Sequence, residues 1–225
     1  NLKIKKTIAL LPARGGSKRI PNKNIKDFDG IPLIVHSINY ARLHSDIIDD
    51  IYVSTDNQEI KDIAIKNGAK VIDRPKNISG DFEPMITTIQ HLLTVVDGVE
   101  TIILLQPTNP LRPKALLKKA YNTFMKSGCD SLITVSKTDK KLGKIIDDKY
   151  VPYTYKMGQR SQDIEPLYFE NGLLYIILSS LVLENKILGN NNTPLVVDHP
   201  YASVDIDIEE DFNFAEYIIK NYPDE

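Results

Sequence analysis

Cysteine, long apolar runs and a broad excess of basic charge are absent or nearly absent from this 225-residue sequence. The single cysteine, Cys129, excludes an internal disulfide and a cysteine metal cluster. No apolar run is long enough to cross a bilayer. A net charge of -2 argues against a general nucleic-acid binder, whose surface carries a broad basic excess. The basic flank and very short apolar core of residues 1–16 indicate the first buried strand of a cytoplasmic protein rather than a signal peptide.

Two common phosphate-binding motifs are also missing. The sequence contains neither the P-loop pattern G-x-x-x-x-G-K-[ST] nor the dinucleotide fingerprint G-x-G-x-x-G. Their absence argues against a P-loop ATPase and against an NAD dehydrogenase of the usual type.

A concentrated patch of positive charge follows the first apolar run. Residues 10–24 read LLPARGGSKRIPNKN and carry Arg14, Lys18, Arg19 and Lys23 with no acidic residue among them. A Gly-Gly pair lets the backbone bend and brings its N–H groups close to a ligand, and with Arg and Lys such a turn forms a phosphate cradle. We call residues 13–24 the basic loop. A solvated basic turn without a ligand is the alternative.

Apolar runs alternate with amphipathic segments along the first part of the chain. The patterns predict strands at 6–11, 51–54, 71–72, 101–105 and 131–135, and helices at 32–43, 58–67, 85–96 and 114–126. Further strands are predicted at 173–178, 195–197 and 204–208, followed by a helix at 211–219. This alternation indicates an α/β fold with a mostly parallel central sheet flanked by helices.

Three stretches, in order, carry a resemblance to a known family. The basic loop (ARGGSKRIPNKN), residues 104–112 (LLQPTNPLR) and residues 204–212 (VDIDIEEDF) resemble motifs of the sugar-activating cytidylyltransferases, specifically the CMP-sialic acid (acylneuraminate) synthetase family. The basic loop looks closer to the legionaminic acid branch. The resemblance spans essentially the whole chain and implies one domain, residues 1–225, with a Rossmann-like nucleotidyltransferase fold.

The resemblance also implies an activity. The family transfers CMP from CTP to the anomeric hydroxyl of a nonulosonic acid, a nine-carbon acidic sugar, with release of pyrophosphate and dependence on Mg²⁺. Such catalysis rests on positioning and charge neutralisation. The expected partners are therefore CTP and the acidic sugar, with no nucleic acid and no membrane.

The resemblance assigns seven residues to the nucleotide. Arg14 and Lys23 are expected to hold the triphosphate and the leaving group. The others are Ser17 and Lys18 as further contacts, Asn24 at the base, and Arg74 and Asp81 in matching nucleotide motifs. Arg19 is either a further contact or a solvated arginine.

Four residues are assigned to the sugar in the same way. Gln106 follows the buried strand at 101–105, where the family contacts the sugar; a loop-capping glutamine is the alternative. Arg160 lies near the position of an arginine that holds the sugar carboxylate, and Asn171 belongs to the matching ENGLLYI stretch. Tyr175 is expected to line the sugar pocket, unless it is a core aromatic. Arg112 is expected to brace the PTNPLR turn.

An acidic pair comes late in the chain. Asp205 and Asp207 lie two apart on the predicted strand, so both carboxylates project from one face. Two carboxylates suit Mg²⁺, which prefers oxygen ligands and substrate phosphates. Acids facing water on a half-exposed strand are the alternative; the resemblance favours the metal. Either residue, Asp207 included, could help to deprotonate the sugar hydroxyl.

The sequence departs from the family at two places. Met85 occupies the position of a nucleotide-contacting serine, and Ile187 and Leu188 stand where relatives that use N-acetylneuraminate carry two phenylalanines. These changes leave the base selectivity and the acyl groups of the sugar open.

Two other function classes compete with this interpretation. A nucleotidyltransferase for another sugar remains open, whereas a glycosyltransferase of similar architecture would place D-x-D after the central buried strand, where this chain has QPTNP. A non-catalytic nucleotide-binding domain is disfavoured because Lys23 and both late aspartates are present.

Residues 137–165 are polar and rich in Lys, Asp and Tyr. The resemblance implies that this segment is an arm that reaches a second subunit, which predicts a homodimer. Tyr150, Val151, Tyr153 and Tyr155 would give the arm an apolar stripe. A flexible loop is the alternative.

Overall fold

Strands and helices alternate along most of the chain in a computed structural model that describes residues 5–224. The strands are β1 (Lys6–Pro12), β2 (Asp27–Phe28), β3 (Ile31–Pro32), β4 (Asp50–Thr55), β5 (Lys70–Asp73), β6 (Val99–Leu104), β7 (Ser131–Thr138), β8 (Gly143–Ile146), β9 (Lys149–Pro152), β10 (Leu167–Leu178) and β11 (Asn192–Val196). The helices are α1 (Leu33–Leu43), α2 (Gln58–Lys66), α3 (Met85–Val95), α4 (Leu116–Ser127), α5 (Ser179–Leu183) and α6 (Glu209–Asn221).

Seven of these strands form one sheet in the order β11-β7-β10-β6-β1-β4-β5. Neighbouring strands are parallel except at β10, which runs antiparallel to both β6 and β7. The predicted α/β fold with a mostly parallel sheet is confirmed. The parallel strands end at one common edge, where ligands bind in open α/β sheets.

The core lies on both faces of this sheet. Alternate residues of β1 point to opposite faces: Ala9 and Leu11 pack with α1, α2 and α4, whereas Ile8 and Leu10 pack with α3 and α5. Each fully buried Leu or Ile contributes roughly 1.5–3 kcal/mol relative to an exposed one. The two-sided apolar character of the central strands therefore follows from helices on both sides.

Helix α2 begins after an N-cap asparagine and ends before a glycine. The Asn57 side chain accepts a hydrogen bond from the Ile60 N–H at 3.0 Å, which caps the first turn. Gly68, just beyond the helix, has a φ of 86°, a left-handed conformation that favours glycine. Because the cap lies directly after β4, the start of α2 is held at the carboxyl edge of the sheet.

The prediction of a strand at residues 204–208 is wrong. This acidic segment, as we call residues 204–208, is extended but pairs with no strand in the described chain. Its backbone bonds instead to loops: the Ile206 N–H donates to the Thr108 carbonyl at 2.8 Å, and the Lys23 ammonium donates to the Ile206 carbonyl at 2.9 Å. The apolar/polar alternation arises because Val204 and Ile206 are buried against α6.

Strand β10 carries an irregularity next to the sheet edge. Its register with β7 shifts between Glu170 and Tyr175, and Gly172 in that interval has a φ of 73°. A Cβ on Gly172 would lie 2.7 Å from the Asn109 side-chain oxygen, so only glycine fits. Thr134 fills the gap by bonding both the N–H and the carbonyl of Leu174 at 3.1 Å. The bulge re-aims the residues before it.

The polar segment 137–165 contains the two-stranded hairpin β8–β9, which stands apart from the main sheet. Large apolar side chains on and beside it are exposed, among them Ile145 at 73% and Tyr153 at 68%. That this segment is a dimerisation arm stays a prediction. None of the helices between residues 5 and 224 has the length and apolar character that a bilayer crossing requires.

Candidate active site

Two cavities meet at the carboxyl edge of the sheet. The larger, of about 520 Å³, is lined by Arg14, Ser17, Lys18, Arg19, Lys23, Asp81, Phe82 and Asp207. The smaller, of about 150 Å³, is lined by Pro12, Arg14, Ser17, Lys23, Asn24, Met85, Gln106, Pro107 and Thr108. Arg14, Ser17 and Lys23 line both cavities, so the two cavities adjoin along the basic loop.

The basic loop is shaped by contact with the start of α2. The Gly15 N–H donates to the Asp56 carboxylate at 2.8 Å, and a Cβ on Gly15 would lie 2.7 Å from the Asn57 Cβ. A Cβ on Gly16 would meet nothing within 4 Å. Close packing therefore requires the first glycine of the pair and not the second.

Asn24 and Lys23 anchor the other end of the basic loop. The buried Asn24 side chain donates to the Arg14 carbonyl at 3.1 Å. The Lys23 side chain is 13% exposed, and its ammonium lies 3.6 Å from the Asp207 carboxylate besides its bond to Ile206. Lys23 therefore connects the basic loop to the acidic segment.

Arg14 and Lys18 share one acidic partner. The Arg14 guanidinium pairs with Asp81 Oδ1, and the Lys18 ammonium lies 2.5 Å from Asp81 Oδ2. The two cations hold the pKa of Asp81 below its usual range, with the Lys18 hydrogen bond as the larger cause. Arg19 is 71% exposed and approaches only Asp207, at 4.0 Å.

Arg74 lies behind the basic loop and lines neither of the two cavities. Its guanidinium is buried and donates from Nε to the Ser54 hydroxyl at 3.1 Å and from Nη2 to the Ser54 carbonyl at 2.9 Å. Burial lowers its pKa, and the Asp56 carboxylate acts in the opposite direction. Arg74 therefore holds the end of β4, from which Asp56 reaches Gly15.

Tyr175 gathers polar groups on the other side of the site. Its hydroxyl donates to Glu170 at 3.1 Å, and the nearby Gln106 side chain acts to lower its pKa. Burial raises the pKa of Tyr175, and the charges of Glu170 and Asp205 raise it further. The tyrosine therefore remains a neutral hydrogen-bonding group there.

Asp205 and Asp207 form a like-charge pair. Desolvation raises the pKa of Asp205 most, and the Asp207 charge raises it further, although part of its surface stays open to solvent. Thr108 and Lys23 oppose this shift. Two carboxylates that lack full neutralisation suit a hard divalent cation whose remaining ligands are phosphate oxygens and water. Within residues 5–224, no three His, Cys, Asp or Glu side chains are placed so that they could hold a metal ion together.

Five of the predicted residues line neither cavity: Arg74, Tyr175, Asp205, Asn171 and Arg160. The buried Asn171 side chain donates to the Ser136 hydroxyl at 3.0 Å and accepts from the Leu173 N–H at 3.1 Å, so it holds the bulge of β10. Arg160 lies on the polar segment, where its guanidinium makes two hydrogen bonds to Asp163, at 2.7 and 3.2 Å. The remaining predicted site residues surround the two cavities or support the basic loop.

Arg112 braces the site, as predicted. It is buried and donates to the Leu173 carbonyl, to the Ser37 hydroxyl at 2.9 Å and to the Gln106 carbonyl at 2.9 Å. Desolvation lowers its pKa to about 10. One guanidinium thus ties α1 and β10 to the loop that follows β6.

Sequence reasoning missed four residues that shape the site: Asp56, Thr108, Asn109 and Glu170. Asn109 donates to the Val204 carbonyl at 3.1 Å and to the Asn171 carbonyl at 3.2 Å, so it positions both the acidic segment and the bulge. Thr108, Asn109 and Glu170 lie inside the short motifs quoted above, and Asp56 follows the predicted strand at 51–54. Their polarity at these positions was the available signal.

Relatives of known designation match nearly the whole chain. It is 33% identical over 231 residues to the pseudaminic acid cytidylyltransferase of Campylobacter jejuni, covering 96% of this chain and 97% of the relative. It is 32% identical over 227 residues to the CMP-N,N'-diacetyllegionaminic acid synthase of Legionella pneumophila, covering 95% and 96%. It is 30% identical over 214 residues to the N-acylneuraminate cytidylyltransferase of Streptococcus agalactiae, covering 92% of this chain and 52% of that relative.

The fold matches as well. The solved structure of CMP:2-keto-3-deoxy-manno-octonic acid synthetase complexed with CTP superposes with a TM-score of 0.69 and 14% identity, covering 96% of this chain and 99% of that one. The sequence profile of the cytidylyltransferase family matches residues 8–216. The resemblance inferred from the motifs is thereby confirmed, and the chain belongs to the cytidylyltransferase family of nucleotidyltransferases.

Proposed function

We propose that this protein transfers CMP from CTP to the anomeric hydroxyl of a nonulosonic acid and releases pyrophosphate. One observation carries the proposal: the cations Arg14, Lys18 and Lys23 line a cavity that Asp207 also borders, and Asp205 lies near enough for the Asp207 charge to raise its pKa. The designations of the relatives, which name pseudaminic, diacetyllegionaminic and acylneuraminic substrates, support the same chemistry.

The basic loop binds the triphosphate in this proposal. Arg14 and Lys18 contact its outer phosphates and Lys23, at the junction of the cavities, contacts the phosphate that reacts. The hydroxyl oxygen of the sugar attacks the α-phosphorus and loses its proton, while the bond between the α-phosphorus and the oxygen that bridges to the β-phosphate breaks. Pyrophosphate leaves with that oxygen. The cations act by neutralising the charge that develops on the leaving group.

Asp205 and Asp207 hold Mg²⁺ in this proposal. The ion, when bound, neutralises phosphate charge and polarises the α-phosphate. The raised pKa of Asp205 supports this role because an unneutralised carboxylate pair gains from a nearby cation. Thr108, which acts to lower the pKa of Asp205, and Lys23, whose ammonium lies 3.6 Å from Asp207, both favour the charged form of the carboxylate beside them.

The sugar binds next to Gln106 and Tyr175. Tyr175, fixed by Glu170, presents a neutral hydroxyl, and Gln106 presents an amide. Met85 and Tyr175 pack against one apolar cluster, and Met85 also lines the smaller cavity, so the site offers apolar surface there. The acyl groups of a nonulosonic acid suit such a surface. Ile187 packs against the same cluster but lines neither cavity.

The protein acts as a homodimer in this proposal. The hairpin β8–β9 and its surroundings expose Ile145, Tyr153 and Met157, at 73, 68 and 72%, and such apolar exposure is typical of an interface. Arg160 lies on the same segment and lines neither of the two cavities described above, so we assign it to the sugar carboxylate in the partner's site.

The test is pyrophosphate release from each of the four nucleoside triphosphates with a panel of nonulosonic acids, with and without Mg²⁺. We expect release only with CTP, with at least one nonulosonic acid, and only when Mg²⁺ is present. A glycosyltransferase would instead consume a nucleotide sugar without releasing pyrophosphate. Absence of pyrophosphate release with CTP and every nonulosonic acid contradicts the proposal.

A further inference from the structure

We propose that Asp81 is an internal substitute for the triphosphate: it occupies Arg14 and Lys18 in the free protein and is displaced when the nucleotide binds. The inference rests on the proposed function, because it takes the basic loop as the triphosphate site. Its basis is geometric. Both oxygens of one carboxylate are engaged, Oδ1 by the Arg14 guanidinium and Oδ2 by the Lys18 ammonium at 2.5 Å.

Asp81 and the phosphates compete for the same donors. Arg14, Lys18 and Asp81 line one cavity of about 520 Å³, so a triphosphate there lies against the cations that the carboxylate holds. A carboxylate and a phosphate oxygen accept the same N–H groups in the same geometry. With Asp81 in place, part of the positive charge of the basic loop is already neutralised.

Few contacts hold the segment that carries Asp81. Residues 80–84 are exposed and lie between a 3₁₀ turn at Lys76–Ile78 and the start of α3. Within residues 80–84, one backbone hydrogen bond runs from the Glu83 N–H to the Gly80 carbonyl. Among the described residues, the Glu83 side chain accepts a hydrogen bond only from the Thr87 hydroxyl. The ion pairs of Asp81 are the hydrogen bonds that tie this segment to the rest of the site. The Lys18 side chain is 80% exposed, so its ion pair with Asp81 is weak, and the Arg14 pair, whose side chains are 34% and 23% exposed, supplies most of the tie.

Phe82 gives the displacement a second consequence. Its side chain is 97% exposed, although it borders the same cavity, so it packs against nothing while Asp81 is paired. When Asp81 leaves the two cations, the neighbouring phenylalanine moves with it. The position of residues 80–84 therefore depends on whether the triphosphate site is occupied.

Binding of inorganic pyrophosphate, measured by calorimetry, tests the competition. Asp81→Asn should bind pyrophosphate about three- to tenfold more tightly than the unmodified protein, because the competent state no longer needs to release the carboxylate. Glu83→Gln is the matched control: it removes the same charge from the same segment without touching Arg14 or Lys18. An affinity for Asp81→Asn that is weaker than, or equal to, that of Glu83→Gln overturns the proposal and makes Asp81 a fixed partner of the two cations.

A fluorescent variant tests the motion. The sequence has no tryptophan, so Phe82→Trp creates a single reporter on the segment. Its emission should change when pyrophosphate is added, and the change should be lost when Asp81→Asn is introduced into the same variant. An emission that does not respond to saturating pyrophosphate overturns the proposal.

Arg14→Ala separates this inference from the proposed function. Loss of pyrophosphate binding in Arg14→Ala, together with no tightening in Asp81→Asn, overturns only the displacement by Asp81. Full pyrophosphate affinity in Arg14→Ala removes the triphosphate site of the proposed function and with it the present inference.

Discussion

Replacing Lys23 with methionine tests the junction between the basic loop and the acidic segment. Methionine has a similar length but lacks the ammonium, which donates to the Ile206 carbonyl at 2.9 Å and lies 3.6 Å from Asp207. Two effects are expected, one on stability and one on turnover, and they differ in size.

The stability effect is modest. A hydrogen bond from a charged donor contributes about 1.5–3 kcal/mol, against a total stability of about 5–15 kcal/mol for a domain, so the variant stays folded. The catalytic effect is large, because removing one donor that stabilises developing charge costs about 2.7–4 kcal/mol, or about 10²–10³ in turnover. Turnover should therefore fall much further than the fraction of folded protein.

The assay is initial-rate pyrophosphate release at saturating CTP and sugar, paired with urea unfolding of the same samples. Lys26→Met is the matched control: the Lys26 ammonium pairs with Glu209 and lies 4.9 Å from the centre of the Phe212 ring, outside both cavities. Lys26→Met should keep nearly full turnover. If Lys23→Met is folded and retains more than about a tenth of the turnover, Lys23 only tethers Ile206 and the assigned role is wrong.

Three further substitutions test separate parts of the site. Gly15→Ala should lower the free energy of unfolding by about 1–3 kcal/mol through overpacking and also reduce turnover. Gly16→Ala should change the free energy of unfolding, measured in urea, by less than about 0.5 kcal/mol. Equal effects of the two substitutions would contradict the close approach at Gly15. Asp207→Asn should raise the Mg²⁺ concentration for half-maximal rate about tenfold or more. It should also move the acid limb of the pH–rate profile to lower pH, since Asp205 loses a neighbouring charge that raises its pKa. An unchanged Mg²⁺ titration would mean that the two aspartates face water and bind no metal. Asn171→Ala should lower stability by about 1–3 kcal/mol and leave both KM values unchanged, and a raised KM at full stability would make it a substrate contact.

Sequence periodicity predicted most of the fold. The buried strands and amphipathic helices follow from local patterns, and helix starts and stops such as Asn57 and Gly68 have local chemistry of their own. The prediction of strands failed in two regions, for a physical reason in each. Residues 204–208 alternate like a strand but bond to the Thr108 carbonyl and the Lys23 side chain instead of a neighbouring strand. The polar bulge at 170–172 interrupts the apolar pattern by which the first half of β10 would be recognised as a strand.

The sequence indicated several residues that the fold brings together at the candidate site, but not the contacts that they make there. The motifs indicated Arg14, Lys23, Asp205 and Asp207, which lie together. The pairing of Arg14 with Asp81 spans 67 positions of sequence, and local patterns carry no information on such distances. The bonds that make Asn171 a support of the bulge, rather than a cavity residue, likewise depend on tertiary packing.

The reversed direction of β10 has a consequence for how the exposed hairpin and the site are coupled. Because β10 runs opposite to its neighbours, it begins at the carboxyl edge of the sheet, where Leu167 pairs with Thr138 at the end of β7. Both ends of the intervening segment therefore leave from the rim of the site. Any partner that fixes the hairpin also fixes the entry of the chain into β10, and Glu170 follows three residues later with its bond to Tyr175. The proposed subunit contact and the proposed sugar pocket are therefore connected through the first residues of β10, and a loosely held hairpin would misalign Glu170 and Tyr175.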